Sequence, residues 1–291
     1  MFPSDKQSTT EIEMNMQFNR REFLTAAAAM ASTPWLGGCL TDKQEEGPLV
    51  IAQCGDPQLG FGEEKDSHAA DLARARREIE IINSISPDLV LFQGDMANVV
   101  GTFDRDWPAL LKTIKNRVVA VPGNHDMGNA LIGDNADRFR KVFGAEYQAF
   151  TIKGWRFIAG NSQYWRPTPE KARQQAYEKW FADELRKAEA EHCKTIIATH
   201  IPPFAVRPGE KDSYNNYPLK NRTRRLESYL KAGTRFYLAG HTHRNHRNTY
   251  RGMTILNPET TCRNFDKRPF GFRLLTIRPD ATYDWKFIPV A

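Results

Sequence analysis

Cysteine is scarce in this chain, four in 291 residues, and that scarcity excludes a small fold stapled together by disulfides. Long apolar runs are also missing. The longest, residues 23–36, is about 14 residues, short of the roughly 20 that a helix needs to cross a bilayer. Glycine (19) and proline (17) are ordinary in number and no internal repeat is present, which excludes collagen-like and low-complexity classes. Acidic residues are outnumbered, 35 against 41 basic ones, so the formal charge of +6 favours anions. The basic residues are scattered, with no long Lys/Arg run and no nucleic-acid module. Nucleic acid is therefore not the expected partner, and phosphate-bearing small molecules or phosphoproteins fit better. What is present, 40% hydrophobic and 26% charged residues, suits one large globular domain or at most two small ones.

The first forty residues read as an address. A polar stretch leads to Arg20-Arg21-Glu22-Phe23-Leu24 and then to an alanine-rich apolar run, which resembles a twin-arginine export signal. The run ends in Leu36-Gly37-Gly38-Cys39, which resembles a lipobox; a frayed amphipathic helix is the alternative. Residues 1–38 are thus expected to be a lipoprotein-type signal peptide, 39–48 a tether beginning at a lipidated Cys39, and 49–291 the working domain. The expected location is periplasmic or cell-envelope, with the membrane touched only through Cys39. Three cysteines then remain. Cys54 and Cys193 border apolar strands and read as small core residues, while Cys262 lies in a loop and stays open.

Beyond residue 49 short runs rich in Val, Ile and Leu alternate with segments of helical period, the pattern of an α/β fold. The runs are residues 49–54, 88–93, 117–121, 195–199 and 235–239, and their lack of alternation predicts central strands buried on both faces. Residues 66–86 carry Leu72, Ala75, Ile79, Ile82 and Ile85 at helical spacing and end at Ser86-Pro87; residues 170–191 form a second helix. More alternating segments, 148–153, 155–159, 249–256, 272–278 and 282–287, predict a second, largely antiparallel sheet. Two sheets face to face with helices outside make a four-layer α/β/β/α sandwich.

A polar cluster follows each of the five central strands: Gly55-Asp56-Pro57-Gln58, Gly94-Asp95, Gly123-Asn124-His125-Asp126, His200, and Gly240-His241-Thr242-His243. Open α/β sheets bind ligands at the carboxyl ends of their strands. Any one of these residues has an ordinary reading as a cap or loop residue, but five at equivalent places do not. Four of the seven histidines fall in the clusters; His68, His192 and His246 do not and read as surface or local contacts. Imidazole nitrogen and carboxylate oxygen suit borderline divalent metals, and one carboxylate can bridge two of them. Two such ions, roughly 3.5–4 Å apart, can activate a bridging water and hold phosphoryl oxygens.

Asp-x-Gln, Gly-Asp, Gly-Asn-His-Asp, a lone His and Gly-His-x-His, in this order, resemble the calcineurin-like metallophosphoesterases over residues 51–277. That resemblance implies one metal held by Asp56, Asp95 and His243, and a second by Asp95, Asn124, His200 and His241. His125 would lie beside the substrate, stabilising phosphate charge or protonating the leaving oxygen. It also implies two divalent ions (Mn, Fe or Zn) and attack by a hydroxide that bridges them. Gln58 departs from the family pattern, since most members carry His there; its amide oxygen is either a weak ligand or a partner for bound water. Asp-Pro-Gln with Asn161-Ser162-Gln163 and His200-Ile201-Pro202 resembles a narrower branch that includes vertebrate serine/threonine phosphatases. Asn98 stands where phosphoprotein phosphatases carry Asp and is expected to orient His125 without adding charge. Asn161, Gln163 and Arg244 are candidate substrate or supporting residues, with a structural role as the alternative. The long polar segment 202–220, with Tyr214 and Tyr217, reads as a lid or docking edge. The expected activity is hydrolysis of phosphomonoesters, phosphoserine and phosphothreonine among them. The alternatives are a phosphodiesterase of the same fold, for nucleotides or phospholipid headgroups, and a non-catalytic metal- or phosphate-binding lipoprotein.

Overall fold

A computed structural model describes residues 47–129 and 133–290. The expected signal segment, Cys39 and most of the tether lie outside them. The first sheet holds β1 (Leu49–Cys54), β2 (Leu89–Phe92), β3 (Val118–Ala120), β10 (Gly271–Ile277) and β11 (Tyr283–Pro289), in the order β11-β10-β1-β2-β3. The second holds β4 (Gln148–Ile152), β5 (Trp155–Ala159), β6 (Lys194–Ala198), β7 (Thr234–Leu238), β8 (His246–Tyr250) and β9 (Met253–Asn257), in the order β4-β5-β6-β7-β9-β8. Among the described residues five α-helices follow in chain order: α1 (Ser67–Ile85), α2 (Phe103–Leu111), α3 (Gly133–Phe143), α4 (Lys171–Ala190) and α5 (Leu219–Lys231).

Period-two alternation decides which side chains face which layer. Leu49, Ile51, Leu89, Leu91, Leu275 and Ile277 of the first sheet meet Trp155, Phe157, Ile196, Ala198, Phe236 and Leu238 of the second in one apolar layer. The residues between them along the strands, such as Ala52, Val90, Phe92, Ile197 and Tyr237, join the core under the helices. Phe92 packs edge-on to Trp107 of α2, with ring centroids 5.0 Å apart, and Tyr229 of α5 meets Tyr237 of β7 at 5.7 Å. The four-layer sandwich expected from the sequence is thus present, with both sheets mixed.

The division of strands between the sheets differs from the sequence expectation. β1, β2 and β3 are parallel in one sheet while β6 and β7 are parallel in the other. The alternating segments are likewise split: β10 and β11 extend the first sheet, and the 249–256 segment is a β8/β9 hairpin turning at Arg251-Gly252. The reason is physical. Every central strand of either sheet has a helix layer on one face and the other sheet on the other, so apolarity on both faces marks a central strand without marking its sheet. β3, also read as central, is an edge strand.

Toward the carboxyl ends of the strands the layer between the sheets turns polar. Gln53, Gln93, Arg273 and Asn257 are buried there, and Gln53 Nε2 donates to Gln93 Oε1 at 2.8 Å. A second polar insertion was not legible from periodicity. α1 buries Glu78 between Ala75 and Ile79, where its carboxylate faces the Cys54 thiol.

Burial raises the Glu78 carboxyl from the ordinary 4.5 to about 8. The folded state therefore favours the protonated form, and that contribution is full below pH 4.5 and is lost as pH rises toward about 8. Glu78→Gln, which cannot ionise, is expected to lie close to the wild type at pH 5 and to exceed its unfolding free energy by roughly 5 kcal/mol at pH 9. Urea denaturation in EDTA at the two pH values checks this; parallel pH profiles for the two proteins would refute it.

Candidate metal centre

The five strand ends that the sequence singled out meet at one edge of the sandwich. β1 leads to Asp56, β2 to Asp95, β3 to Asn124, β6 to His200, and β7 to His241 and His243. The chain turns abruptly there, and Asp56, Gln58, Asp95, His241 and His243 all take positive φ, from 27° to 71°. L-residues occupy that region at a cost, and such residues cluster at functional sites. The preceding glycines are needed for space. A Cβ on Gly123 would lie 2.1 Å from Asp95 Oδ1, and one on Gly240 would lie 2.6 Å from Asp56 Oδ2.

Hydrogen bonds between the loops hold the turns in place. Asp56 accepts from His241 N at 2.8 and 3.0 Å, and so ties the two sheets together. Asp95 Oδ1 accepts from His125 N at 2.8 Å, and the Asp95 carbonyl accepts from Gln58 N at 2.7 Å. Asp126, not proposed as a site residue, is fully buried and accepts from Met96 N at 2.9 Å and Gly123 N at 2.8 Å. It fastens the Asp95 loop to the Asn124 loop. Its carboxyl is pushed up to about 7, by burial first and then by the nearby Asp95 charge.

Two groups of donors have the spacing to hold a cation, Asp95 with His200 and His241, and Asp56 with Asp95 and His243, every donor in a group lying within 4.8 Å of the others. Asp95 is common to both. In the first group His200 Nε2 is 3.0 Å from Asn124 Oδ1, 3.0 Å from His241 Nδ1 and 3.4 Å from Asp95 Oδ2. In the second His243 Nε2 is 3.7 Å from Asp56 Oδ1. Gln58 Nε2 reaches toward Asn98 Oδ1 at 3.4 Å, and its Oε1 is buried without a partner.

Each site histidine donates one ring N–H to a main-chain carbonyl, which fixes the tautomer. His200 Nδ1 bonds Gln93 O at 2.7 Å, His241 Nε2 bonds Tyr214 O at 2.8 Å, His243 Nδ1 bonds Arg263 O at 2.8 Å, and His125 Nδ1 bonds Asn98 O at 2.7 Å. The other nitrogen is left to a ligand, the arrangement typical of metal-binding histidines. Converging lone pairs of this kind need positive charge among them. Without a cation, His200 supplies it: burial would lower its basicity, but Asp95 and Asp56 push it up to about 9. Burial alone would raise Asp95, but His200, with His125 and His241 near, holds it well below the usual carboxylate range. Asp56 is raised, chiefly by burial. His241 is driven down by burial and then by the His200 charge. A divalent cation replacing the His200 proton satisfies the same donors, so the residues fit the group.

The remaining sequence candidates are placed as follows. Asn98 orients His125 through its backbone carbonyl, while its side chain binds Gln58 and Gly60. His125 is half-buried, more open than the fully buried His200 beside it. Asn161 is occupied within its own turn, accepting from Gln163 N at 3.0 Å and donating to Glu146 Oε2 at 2.9 Å. Neither Asn161 nor Gln163 has a hydrogen bond to the donor groups. Arg244 is exposed, and its charge bears on His246.

Sequence reasoning missed one part of the rim and named another only as part of a loop. One is Phe61, whose ring lies 5.4 Å from that of His243 and 6.4 Å from that of His125, with Phe265 and the Arg263 guanidinium beside it. The other is Tyr214 of the 202–220 segment, expected as a lid or docking edge without a contact to the donor groups, and stacked on by Arg166. Neither belongs to a strand end, so nothing in the strand pattern pointed to them. Cys262, left open by the sequence, is buried, with its Sγ 3.2 Å from Asp56 O.

The profile of the calcineurin-like phosphoesterase family matches residues 49–245. The serine/threonine-protein phosphatase CPPED1 of Rattus norvegicus is 28% identical over 260 residues, covering 81% of this chain and 83% of its own. That of Homo sapiens is 24% identical over 258 residues, with 81% and 82% covered. Among solved structures a dimetal phosphatase from Danio rerio superposes with a TM-score of 0.60 at 14% identity, covering 84% of this chain and 97% of its own. GAP50 of the Plasmodium inner membrane complex gives 0.58 at 13% identity, with 84% and 85% covered. These superpositions bear on the fold, while the family profile spans every one of the five strand-end clusters; the chain belongs to the calcineurin-like phosphoesterase family and is a metal-dependent phosphoester hydrolase.

Proposed function

We propose that the chain hydrolyses phosphomonoesters with two divalent cations held side by side. The observation that carries this reading is the sharing of Asp95 between two donor groups whose histidines have their tautomers set by main-chain carbonyls. Asp56, Asp95 and His243 would hold one ion, with Gln58 Oε1 as a further oxygen donor. Asp95, Asn124, His200 and His241 would hold the other. When bound, such a pair supplies Lewis acidity to phosphoryl oxygens and an activated water for in-line attack.

The side chains do the rest. His125, with Nδ1 engaged by Asn98 O, keeps Nε2 out of that bond and would either stabilise phosphate charge or protonate the departing oxygen. Buried walls around Asp56, Asp95 and His200 exclude bulk water, which strengthens each of these interactions. Similarity to CPPED1 phosphatases over most of the chain favours phosphoserine or phosphothreonine as the substrate class. We also propose export by the twin-arginine route with a lipid on Cys39. The support is the order of Arg20-Arg21, apolar run and Leu36-Gly37-Gly38-Cys39.

EDTA treatment is expected to abolish phosphate release from p-nitrophenyl phosphate, and added Mn or Fe to restore it; elemental analysis of active protein should find two metal ions per chain. Turnover that survives metal removal would sink the proposal. The monoester should be preferred over bis(p-nitrophenyl) phosphate, and the reverse preference would establish the diesterase alternative. His125→Asn is expected to lower kcat by roughly 10²–10⁴-fold with metal content unchanged, and wild-type turnover in that variant would remove His125 from the chemistry. In a cell with an intact export system, acyl label is expected on the wild type and not on Cys39→Ala; an unlabelled wild type contradicts the anchor.

A further inference from the structure

The segment between β6 and α5 does more than border the pocket. Its base is rigid. Glu210 accepts main-chain N–H groups of Ala205, Val206 and Arg207 at 2.8–3.0 Å, and the Asn216 amide at 2.5 Å. Arg222, with no exposed surface, donates to the carbonyls of Pro208 (2.9 Å), Glu210 (2.7 Å) and Tyr217 (2.6 Å). A loop held at both shoulders presents what lies at its tip in a fixed position, and the tip carries Tyr214.

Tyr214 touches two members of the same donor group by two different atoms. Its Oη accepts from Asn124 Nδ2 at 2.7 Å, and its carbonyl oxygen accepts from His241 Nε2 at 2.8 Å. Its ring lies 4.7 Å from that of His241. Asn124 Nδ2 gives its second hydrogen to Asn129 Oδ1 at 2.7 Å, so both amide hydrogens are occupied and Oδ1 is turned toward His200 Nε2. An asparagine ligand is neutral and its amide has two faces of similar size, so it coordinates well only when something decides which atom points inward. On the His241 ring the carbonyl bond leaves Nδ1 as the lone pair. Arg166 donates to that same carbonyl and lies over the ring at 5.2 Å, which keeps the tyrosine seated.

We propose that Tyr214 is a positioning residue for one of the two cations, the one taken by Asp95, Asn124, His200 and His241, and that the 202–218 loop is a preformed clamp on that ion. Tyr214 makes no contact with Asp56 or His243 among the described hydrogen bonds and ring contacts, so its influence is confined to one ion of the pair. The inference rests on the two-cation reading above. It adds an asymmetry between the sites that the strand-end residues alone do not contain.

The test is a Mn(II) titration of the metal-free full chain, followed by calorimetry and by electron paramagnetic resonance, for the wild type, Tyr214→Phe and Tyr214→Ala. Tyr214→Phe keeps the ring and the main-chain carbonyl and removes only Oη. It is expected to weaken one Mn(II) site roughly 10-fold, and Tyr214→Ala up to roughly 100-fold, with the other site unchanged. The exchange-coupled signal of a Mn pair should then appear only at higher Mn(II), preceded by the signal of an isolated ion. The metal-free melting temperature of Tyr214→Phe should fall by no more than the loss of the single hydrogen bond from the buried Asn124 amide entails. Identical titrations for wild type and both variants overturn the proposal, as does equal weakening of both sites. A loss of turnover in Tyr214→Phe with wild-type titrations would make Tyr214 a substrate contact and likewise overturn it. A wild type that binds no Mn pair overturns the two-cation reading itself, an outcome distinguishable from the others by the wild-type arm alone.

Discussion

A carboxylate almost wholly removed from water cannot stay ionised unless positive charge is brought to it, and Asp95, 2% exposed, is the group on which this architecture turns. His200 comes from the other sheet to lie 3.4 Å from one of its oxygens, and the main chain of His125 bonds the other. The Asp95 carbonyl holds Gln58, so the first strand end is registered against the second. Two sheets that share only an apolar layer would be free to slide by small amounts. Asp56 accepting from His241 N, and Gln93 O accepting from His200, pin the sheets where the charge is concentrated.

The same constraint accounts for the backbone. Five residues of the centre lie at positive φ, and each is an Asp, Gln or His with no glycine-like freedom. Such conformations persist only when the surroundings over-determine them. Here they are held by hydrogen bonds from one loop to the next, with Asp126 buried beneath as a double acceptor. Glycine stands at the positions where a side chain would collide, Gly123 against Asp95 and Gly240 against Asp56. The glycines therefore make room for the carboxylates, and the carboxylates themselves adopt the strained turns.

This division explains what the sequence could disclose. The strand ends were readable because each combines an apolar run with a polar residue of restricted type, and the pattern repeats five times along the chain. Sheet membership was not readable, since β6 and β7 have the same two-sided burial as β1 and β2. Asn98 bonds His125 through its carbonyl, which any residue possesses, so its side chain carried no signal for that bond. Tyr214 and Phe61 reach the centre from irregular loops, where neither period nor cap foretells direction. Glu78 stands at an apolar spacing on α1 and would have been set on the exposed face by composition alone.

The neutral residues give the centre its preference in charge. Gln58 and Asn124 are amides, Asn98 stands where a further carboxylate would add negative charge, and Asp126 is raised toward neutrality by burial and by Asp95. Only Asp56 and Asp95 remain as carboxylates among the candidate ligands. In the proposed two-cation centre, two dications against two carboxylates would leave an excess of positive charge in a site walled off from water, where opposite charges attract far more strongly than in solvent. A phosphomonoester carries more negative charge than a diester at neutral pH, and the excess is better matched by it. Gln58 in place of the usual His exchanges one neutral donor for another, so it does not weaken the case for hydrolysis: it leaves the charge of the pocket unchanged and would alter only how firmly an ion beside Asp56 and His243 is held.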